Sequence, residues 1–262
     1  MTSTAERTDT GVRTGPPALT LRAVGKVFGH GAGAVTALRD IDLQIEPGEF
    51  VCLLGASGCG KSTLLNLVAD LDAPTTGEVK VGTARPSFMF QEAALLPWLT
   101  ARRNIELALQ LAGQGRRERR ARADELLALV RLEGQGDKRP HELSGGMRQR
   151  VSLARALAAT TAVGEAEGRP GMLLMDEPFA ALDAITRDVL QTELLRVWEA
   201  TGTTVLFVTH DVREAIRLAQ RVVLLSSRPG TVVREWQVGD GRTELYDEIT
   251  GRLRQVIASH AA

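Results

Sequence analysis

Aromatic residues are scarce, 4% of 262, and there is no basic–aromatic alternation of the kind that stacks on single-stranded nucleic acid. Net charge is missing as well. The 32 basic residues balance 32 acidic ones, so no overall field draws the chain to nucleic acid or to an anionic membrane. Two cysteines, Cys52 and Cys59, are too few for a disulfide framework, and a reducing compartment fits. No apolar run approaches transmembrane length and no signal-peptide pattern opens the chain, so it is expected not to cross a bilayer by itself. No internal repeat stands out. The length allows one large domain, or a domain carrying a subdomain.

What is present is concentrated around residue 60. The apolar run Phe50–Leu54 leads into Gly55-Ala56-Ser57-Gly58-Cys59-Gly60-Lys61-Ser62-Thr63, which leads into Leu64–Val68. This is strand, glycine-rich turn and helix, with the G-x-x-x-x-G-K-[ST] spacing at the turn. Glycines permit a tight wrap whose backbone N–H groups converge, and the helix N-terminus adds partial positive charge, so the stretch is suited to a triphosphate. In that setting Lys61 reaches the β- and γ-phosphates and the Ser62 hydroxyl is a Mg²⁺ ligand. Cys59 contributes its backbone, with an inert thiol.

Residues 1–17, rich in Thr, Gly and Pro, read as a mobile tail. Leu19–Val24 and Leu38–Ile45 alternate apolar and polar residues like half-buried antiparallel strands, with a flexible turn from Phe28 to Gly33 between them. A turn at Pro74–Gly77 leads to a short strand, Glu78–Val81. The stretch from about 92 to 160 is helical in pattern, over Ala101–Leu111, Glu118–Leu132 and Gly145–Ala158. Strands return at Met172–Met175, Thr204–Val208, Val222–Leu225 and Thr231–Val233, with helical patterns at 185–200 and 211–219 between the first three. Strands alternating with helices predict an α/β fold with a largely parallel sheet, helices on both faces, and the all-helical middle as an inserted subdomain. Residues 244–259 read as a C-terminal helix.

The run Met172–Met175 ends in Asp176-Glu177-Pro178. Ligands of open α/β sheets bind at the carboxyl ends of strands, which places Asp176 to hold Mg²⁺. Alternation along the extended chain turns Glu177 differently, toward an attacking water as general base. Leu143-Ser144-Gly145-Gly146-Met147-Arg148-Gln149 has Ser144 as N-cap of a second helix whose open N–H groups suit another phosphate. One phosphate group rarely needs two such helix ends, and the economical arrangement is a dimer in which this end closes on the partner's nucleotide.

These stretches, with the Gln91 segment, Leu182-Asp183 and Thr209-His210-Asp211, resemble in order and spacing the motifs of ABC-transporter ATP-binding subunits over residues 18–240. The resemblance implies a P-loop NTPase (RecA-like) core with an antiparallel β subdomain and the inserted helical one. It implies a head-to-tail dimer sandwiching two ATP between Gly55–Thr63 of one copy and Ser144, Gly145, Gly146 and Gln149 of the other. It further implies that Phe28 stacks on adenine, that Gln91 contacts Mg²⁺ and the attacking water, that Asp183 contacts the dimer mate, and that His210 contacts the γ-phosphate.

Gln91-Glu92…Leu95-Leu96-Pro97-Trp98, Phe179–Asp183 and Ser227-Arg228-Pro229-Gly230 are similar to the nitrate/sulfonate/taurine-type importer branch. That implies membrane-spanning permease subunits docking near Gln91–Trp98, an indirect solute-binding partner, no nucleic acid, and residence on the cytoplasmic face of the membrane. A soluble ABC-type ATPase of translation or repair is the alternative reading. The cluster Arg116–Arg122 is read as a solvated helix face. Two departures from the family pattern remain: Ala56 stands where Pro is usual, and Ala158–Gly171 is longer than expected and reads as a dispensable surface loop.

Overall fold

All five residues of Phe50–Leu54 are buried, as are those of Met172–Asp176 and Thr204–Thr209. Strands hidden on both faces belong inside a parallel sheet covered by two layers. The computed structural model describes residues 16–180 and 182–261, so the expected tail falls almost wholly outside the described residues.

In chain order the elements are β1 (Leu19–Phe28), β2 (Val35–Ile45), β3 (Phe50–Leu54), α1 (Lys61–Val68), β4 (Thr76–Val81) and β5 (Ser87–Met89). Then come α2 (Ala101–Leu111), α3 (Arg116–Leu129), α4 (Gly145–Glu167), β6 (Met172–Asp176) and α5 (Ala184–Thr201). The chain continues through β7 (Thr204–Thr209), α6 (Val212–Leu218), β8 (Arg221–Leu225), β9 (Val232–Gln237) and α7 (Arg242–Ala261). The main sheet has the order β5-β6-β7-β3-β8-β9, parallel except for the β8–β9 pair. A second, antiparallel sheet has the order β2-β1-β4.

Alternation along the central strands divides the core in two. Cys52, Leu54, Met175, Phe207 and Leu224 face the layer that includes α2, α3, α4, α5 and α6. Val51, Leu53, Leu174, Val208 and Val223 face α1 and the antiparallel sheet. Successive side chains of a strand point to opposite faces, so each central strand feeds both cores. Register then builds the site. Leu54 lies beside Thr209 and Val208 beside Asp176, which brings the ends of β3, β7 and β6 to one edge of the sheet. Among the described residues no helix is long and apolar enough to cross a membrane.

The structure corrects one expectation outright. Ala158–Gly171 is no surface loop: α4 runs unbroken to Glu167, and Gly168 closes it at φ 61°. Thr160 and Ala162 are buried, and the Thr160 hydroxyl donates to the Ala156 carbonyl at 2.8 Å. Gly164 sits so close to the returning chain that a Cβ there would lie 3.0 Å from the Arg169 carbonyl oxygen. Deleting residues 164–168 is therefore expected to lower the thermal midpoint, by about 2–4 °C for each kcal/mol lost. A melting curve superimposing on that of the intact chain would contradict this. The short β5 is not announced by any sequence pattern; Ser87 and Met89 are buried beside β6.

Candidate functional site

The turn from β3 to α1 can be made only by glycine at key points. Gly58 and Gly60 have φ of 77° and 102°, in the left-handed region. A Cβ on Gly60 would also lie 2.7 Å from Leu38 Cδ2 and 3.0 Å from the Ala37 carbonyl oxygen. Lys61 opens α1, and its buried ammonium donates to the carbonyls of Gly55 and Ala56 at 2.7 and 2.9 Å. The cation is thereby held over the loop it follows. Cys59 is buried, and burial pushes its thiol up against the opposing effect of Lys61.

Three residues at the strand ends join this loop. Asp176 is buried beside Ser62, and burial and then the neighbouring Glu177 charge raise its carboxyl. Ser62 and Lys61 act in the opposite direction. Glu177 does turn away from Asp176, but strand alternation is not the cause. The strand ends at Asp176, and Glu177 takes φ 44°, a conformation costing about 1–3 kcal/mol for a non-glycine residue. Its N–H donates to the Val208 carbonyl at 3.0 Å, and its Oε2 lies 3.1 Å from His210 Nδ1. Lys61, Ser62, Asp176, Glu177 and His210 thus form one cluster.

The second helix end stands apart. Ser144 caps α4, its hydroxyl accepting from the Met147 N–H at 3.2 Å. Among the described residues no hydrogen bond joins Ser144, Gly145 or Gly146 to Gly55–Thr63. A Cβ on Gly145 or Gly146 would meet its nearest neighbour at 3.8 or 3.4 Å, so nothing among the described residues crowds those positions. Asp183 caps α5 by accepting from the Thr186 N–H at 2.9 Å, which holds its carboxyl below the usual range. Phe28 is 45% exposed, and the Lys26 ammonium lies over its ring, 5.1 Å from the centroid. Gln91 is exposed, three residues beyond the Phe88–Phe90 stack's first ring.

A profile of the family described as ABC transporter matches residues 38–180, more than half of the chain. The chain belongs to the ABC transporter family. It is 48% identical over 237 residues to the taurine import ATP-binding protein of Burkholderia pseudomallei strain K96243, covering 88% of each chain. It is 44% identical over 235 residues to the nitrate import ATP-binding protein NrtD of Synechocystis, covering 86% of this chain and 85% of that one. It is also 45% identical to the Synechocystis bicarbonate transport ATP-binding protein CmpD, covering 83% of this chain and 77% of that one. A dimeric bacterial ABC transporter cassette superposes with a TM-score of 0.75 at 36% identity, over 85% of this chain and 99% of that one. The post-hydrolysis dimer of an ATP-binding cassette with bound ADP and phosphate gives 0.74 at 35%, with the same coverage. As an ABC ATPase on a P-loop NTPase fold, the chain binds and hydrolyses ATP.

One expected nucleotide contact of this ABC ATPase points elsewhere. Gln149 is buried, and its amide donates to the carbonyls of Gln91 at 3.2 Å and Pro178 at 3.0 Å. Six residues further along α4, the Arg155 guanidinium donates to the carbonyls of Ala94 at 2.8 Å and Ala93 at 3.0 Å. Asn104 holds the far end of the same segment through Leu96, Leu99 and Thr100. The Gln91–Thr100 stretch is therefore moored to α4 and α2 by three side chains, and only Gln149 had drawn notice in the sequence. Gln149→Leu strands two carbonyls, a loss of about 1–3 kcal/mol. We expect its turnover to fall about tenfold with ATP affinity nearly unchanged, the signature of misplaced catalytic groups. Steady-state phosphate release alongside nucleotide titration checks this, and loss of affinity with unchanged turnover would refute it.

A further contact escapes sequence reading. Gly230, in the turn between β8 and β9, lies under the phosphate loop, where a Cβ would sit 2.2 Å from the Cys59 carbonyl oxygen. Its N–H donates to the Ala37 carbonyl at 2.8 Å and its carbonyl accepts from the Arg39 N–H at 3.0 Å. Only the Pro-Gly pair hints at it beforehand.

Proposed function

We propose that this ABC ATPase powers the import of a small oxyanion-bearing solute, of the sulfonate, taurine or nitrate class, through separate membrane subunits. The observation that carries the reading is the extended similarity to taurine and nitrate import subunits along most of both chains. The work is done by a head-to-tail pair of copies. Ser144, Gly145 and Gly146 of one copy, uncrowded and with open N–H groups, close on the γ-phosphate held by Lys61 of the other. Asp183 meets the mate, and Phe28 stacks on adenine.

The donors near the triphosphate are hard oxygens, Ser62 and Asp176, which suit Mg²⁺. Among the described residues no group of three His, Cys, Asp or Glu is placed to form a metal cage of its own. When bound, Mg²⁺ neutralises charge developing on the phosphates. Ser62, Asp176 and Gln91 would hold it. Glu177 accepts a proton from the attacking water, His210 orients Glu177 and meets the γ-phosphate, and Lys61 offsets phosphate charge. Residues 18–240 form the ATPase domain, with the helices within about 92–160 as its moving subdomain and 241–262 as a terminal helix.

The permease docks at Gln91–Trp98, where Trp98 is 67% exposed and Leu95 packs inward against the core. The chain accordingly works at the cytoplasmic face of the membrane, and the solute-binding protein acts on it only through the permease. Uptake of labelled taurine, nitrate and bicarbonate in a strain lacking the gene tests the reading. Loss of uptake of one of them, restored by the gene, is expected. Normal uptake of all three, with the tagged chain recovered on ribosomes, would favour a soluble ATPase instead.

A further inference from the structure

The basic cluster Arg116–Arg122 does more than coat a solvated face. Arg116, Arg119 and Arg120 stand at i, i+3 and i+4, which puts them on one side of α3. They line a cleft whose other wall is α2, with Arg102, Arg103 and Glu106. The cleft has a volume of about 540 Å³, within the roughly 300–1,000 Å³ of small-molecule sites. Arg117 and Arg122 lie outside it, and Arg122 is occupied by Glu125 at 2.9 Å.

Charge in this cleft is unbalanced. Five guanidiniums line it against two carboxylates, Glu106 and Asp137. Arg102 is already engaged, with Asp124 at 2.6 Å and with Asp137. Among the described residues Arg103, Arg116, Arg119 and Arg120 make no ion pair, and neither does Glu106. Like charges gathered in a recess raise the local concentration of counter-ions. Arg119 gives a sharper sign: its Nε is buried, yet has no hydrogen-bond partner among the described residues. A buried donor left unpaired is costly and calls for an acceptor. The dipole of α3 points the same way. The helix starts after Gly115, which offers no side-chain cap, so its first N–H groups lack acceptors. Four arginines crowd that positive end, against Glu118 alone in the first turn. An anion seated between α2 and α3 answers all of these at once.

We propose that the α2–α3 cleft is a binding site for a small oxyanion, held by Arg103, Arg116, Arg119 and Arg120. A guanidinium presents paired N–H donors that match two oxygens of such an ion. Leu99 and Leu107, also on the wall, suit a short apolar tail on it. No residue of Gly55–Thr63 lines the cleft, so this site is separate from the nucleotide's and holds whichever solute the system moves. Thr100 stands at its rim, where it caps α2 and ends the segment that Gln149, Arg155 and Asn104 moor. An occupant that draws α3 to α2 therefore stiffens the helices from which that segment hangs.

The test uses inorganic sulfate on the full-length chain. A non-hydrolysable ATP analogue fills the phosphate loop, which would otherwise take sulfate itself. Thermal midpoints are followed as sulfate replaces chloride at constant ionic strength. Exclusion of sulfate from protein surfaces stabilises every variant alike, so the reading is the saturable part of the rise. The native chain is expected to show it. Arg119→Ala and the double variant Arg116→Ala/Arg120→Ala should weaken the apparent sulfate affinity about tenfold or more. In chloride the double variant should melt no lower than the native chain, because it lifts positive charge from a helix N-terminus, so its lost response is not misfolding. Arg117→Ala, outside the cleft, should respond like the native chain. A sulfate response shared equally by the native chain and the cleft variants would overturn the proposal. So would a native response that never saturates, or an Arg117→Ala chain that loses as much as the others.

Discussion

Glu177→Gln should bind ATP normally, stay locked as an ATP-bound pair of copies, and hydrolyse at about one hundredth of the native rate or less. The expectation follows from what the substitution leaves alone. Gln has the same length and shape, so the turn at φ 44° and the N–H bond to Val208 persist, and an amide still reaches His210. What disappears is a base, and general-base catalysis contributes about 10²–10⁴-fold. Neutralising position 177 also removes one of the influences raising the Asp176 carboxyl, so that group becomes easier to ionise, and the Ser62–Asp176 pair is preserved. Phosphate release measured beside size-exclusion chromatography in ATP separates the two effects. Turnover within about threefold of native would remove Glu177 from the role of base.

Gly230→Ala should cripple nucleotide binding although residue 230 has no contact with nucleotide in the scheme above. A methyl group there would stand 2.2 Å from the Cys59 carbonyl oxygen, well inside any tolerable approach, and the obstacle is backbone rather than a side-chain tip that could swing aside. The turn is also pinned to β2 by Gly230 bonds to Ala37 and Arg39, so it cannot withdraw freely. Something must shift, and the phosphate loop is the open side. Overpacking of this kind costs about 1–3 kcal/mol of stability. Because several loop N–H groups point at one phosphate, we expect ATP affinity to drop about tenfold or more. Isothermal titration with a non-hydrolysable ATP analogue, alongside thermal melts, reads both. Native affinity would mean that the floor under the loop yields without consequence.

Residues whose roles are local were readable in the sequence. The glycines of 55–60, the Ser144 cap and the carboxylates ending an apolar run need only their neighbours to declare themselves, because turn geometry, capping and strand burial are short-range effects. His210 was legible through the family resemblance, and the structure places it just past the buried strand β7. The extension of α4 was not. Thr160, Thr161 and Gly164 weaken any helical signal, and the segment is held by hydroxyl bonds to the Ala156 and Leu157 carbonyls and by burial against the sheet. Packing overrode propensity there. Gln149 misled because its sequence position adjoins the open helix end, whereas the helical turn carries its side chain to the interior face. Gly230 and Cys59 meet only after the chain has folded, and no spacing rule spans that gap.

The 23 residues of α4 make a rod about 34 Å long at ~1.5 Å per residue. Its leading tip is Ser144, and its shaft grips Gln91, Ala93 and Ala94. A rigid bar gripped in this way cannot have one attachment displaced while the other stays still. In the pair of copies proposed above, a tug exerted by a permease at Trp98 would be handed directly to the surface facing the opposite molecule's nucleotide, and closure around that nucleotide would be handed back along the same beam.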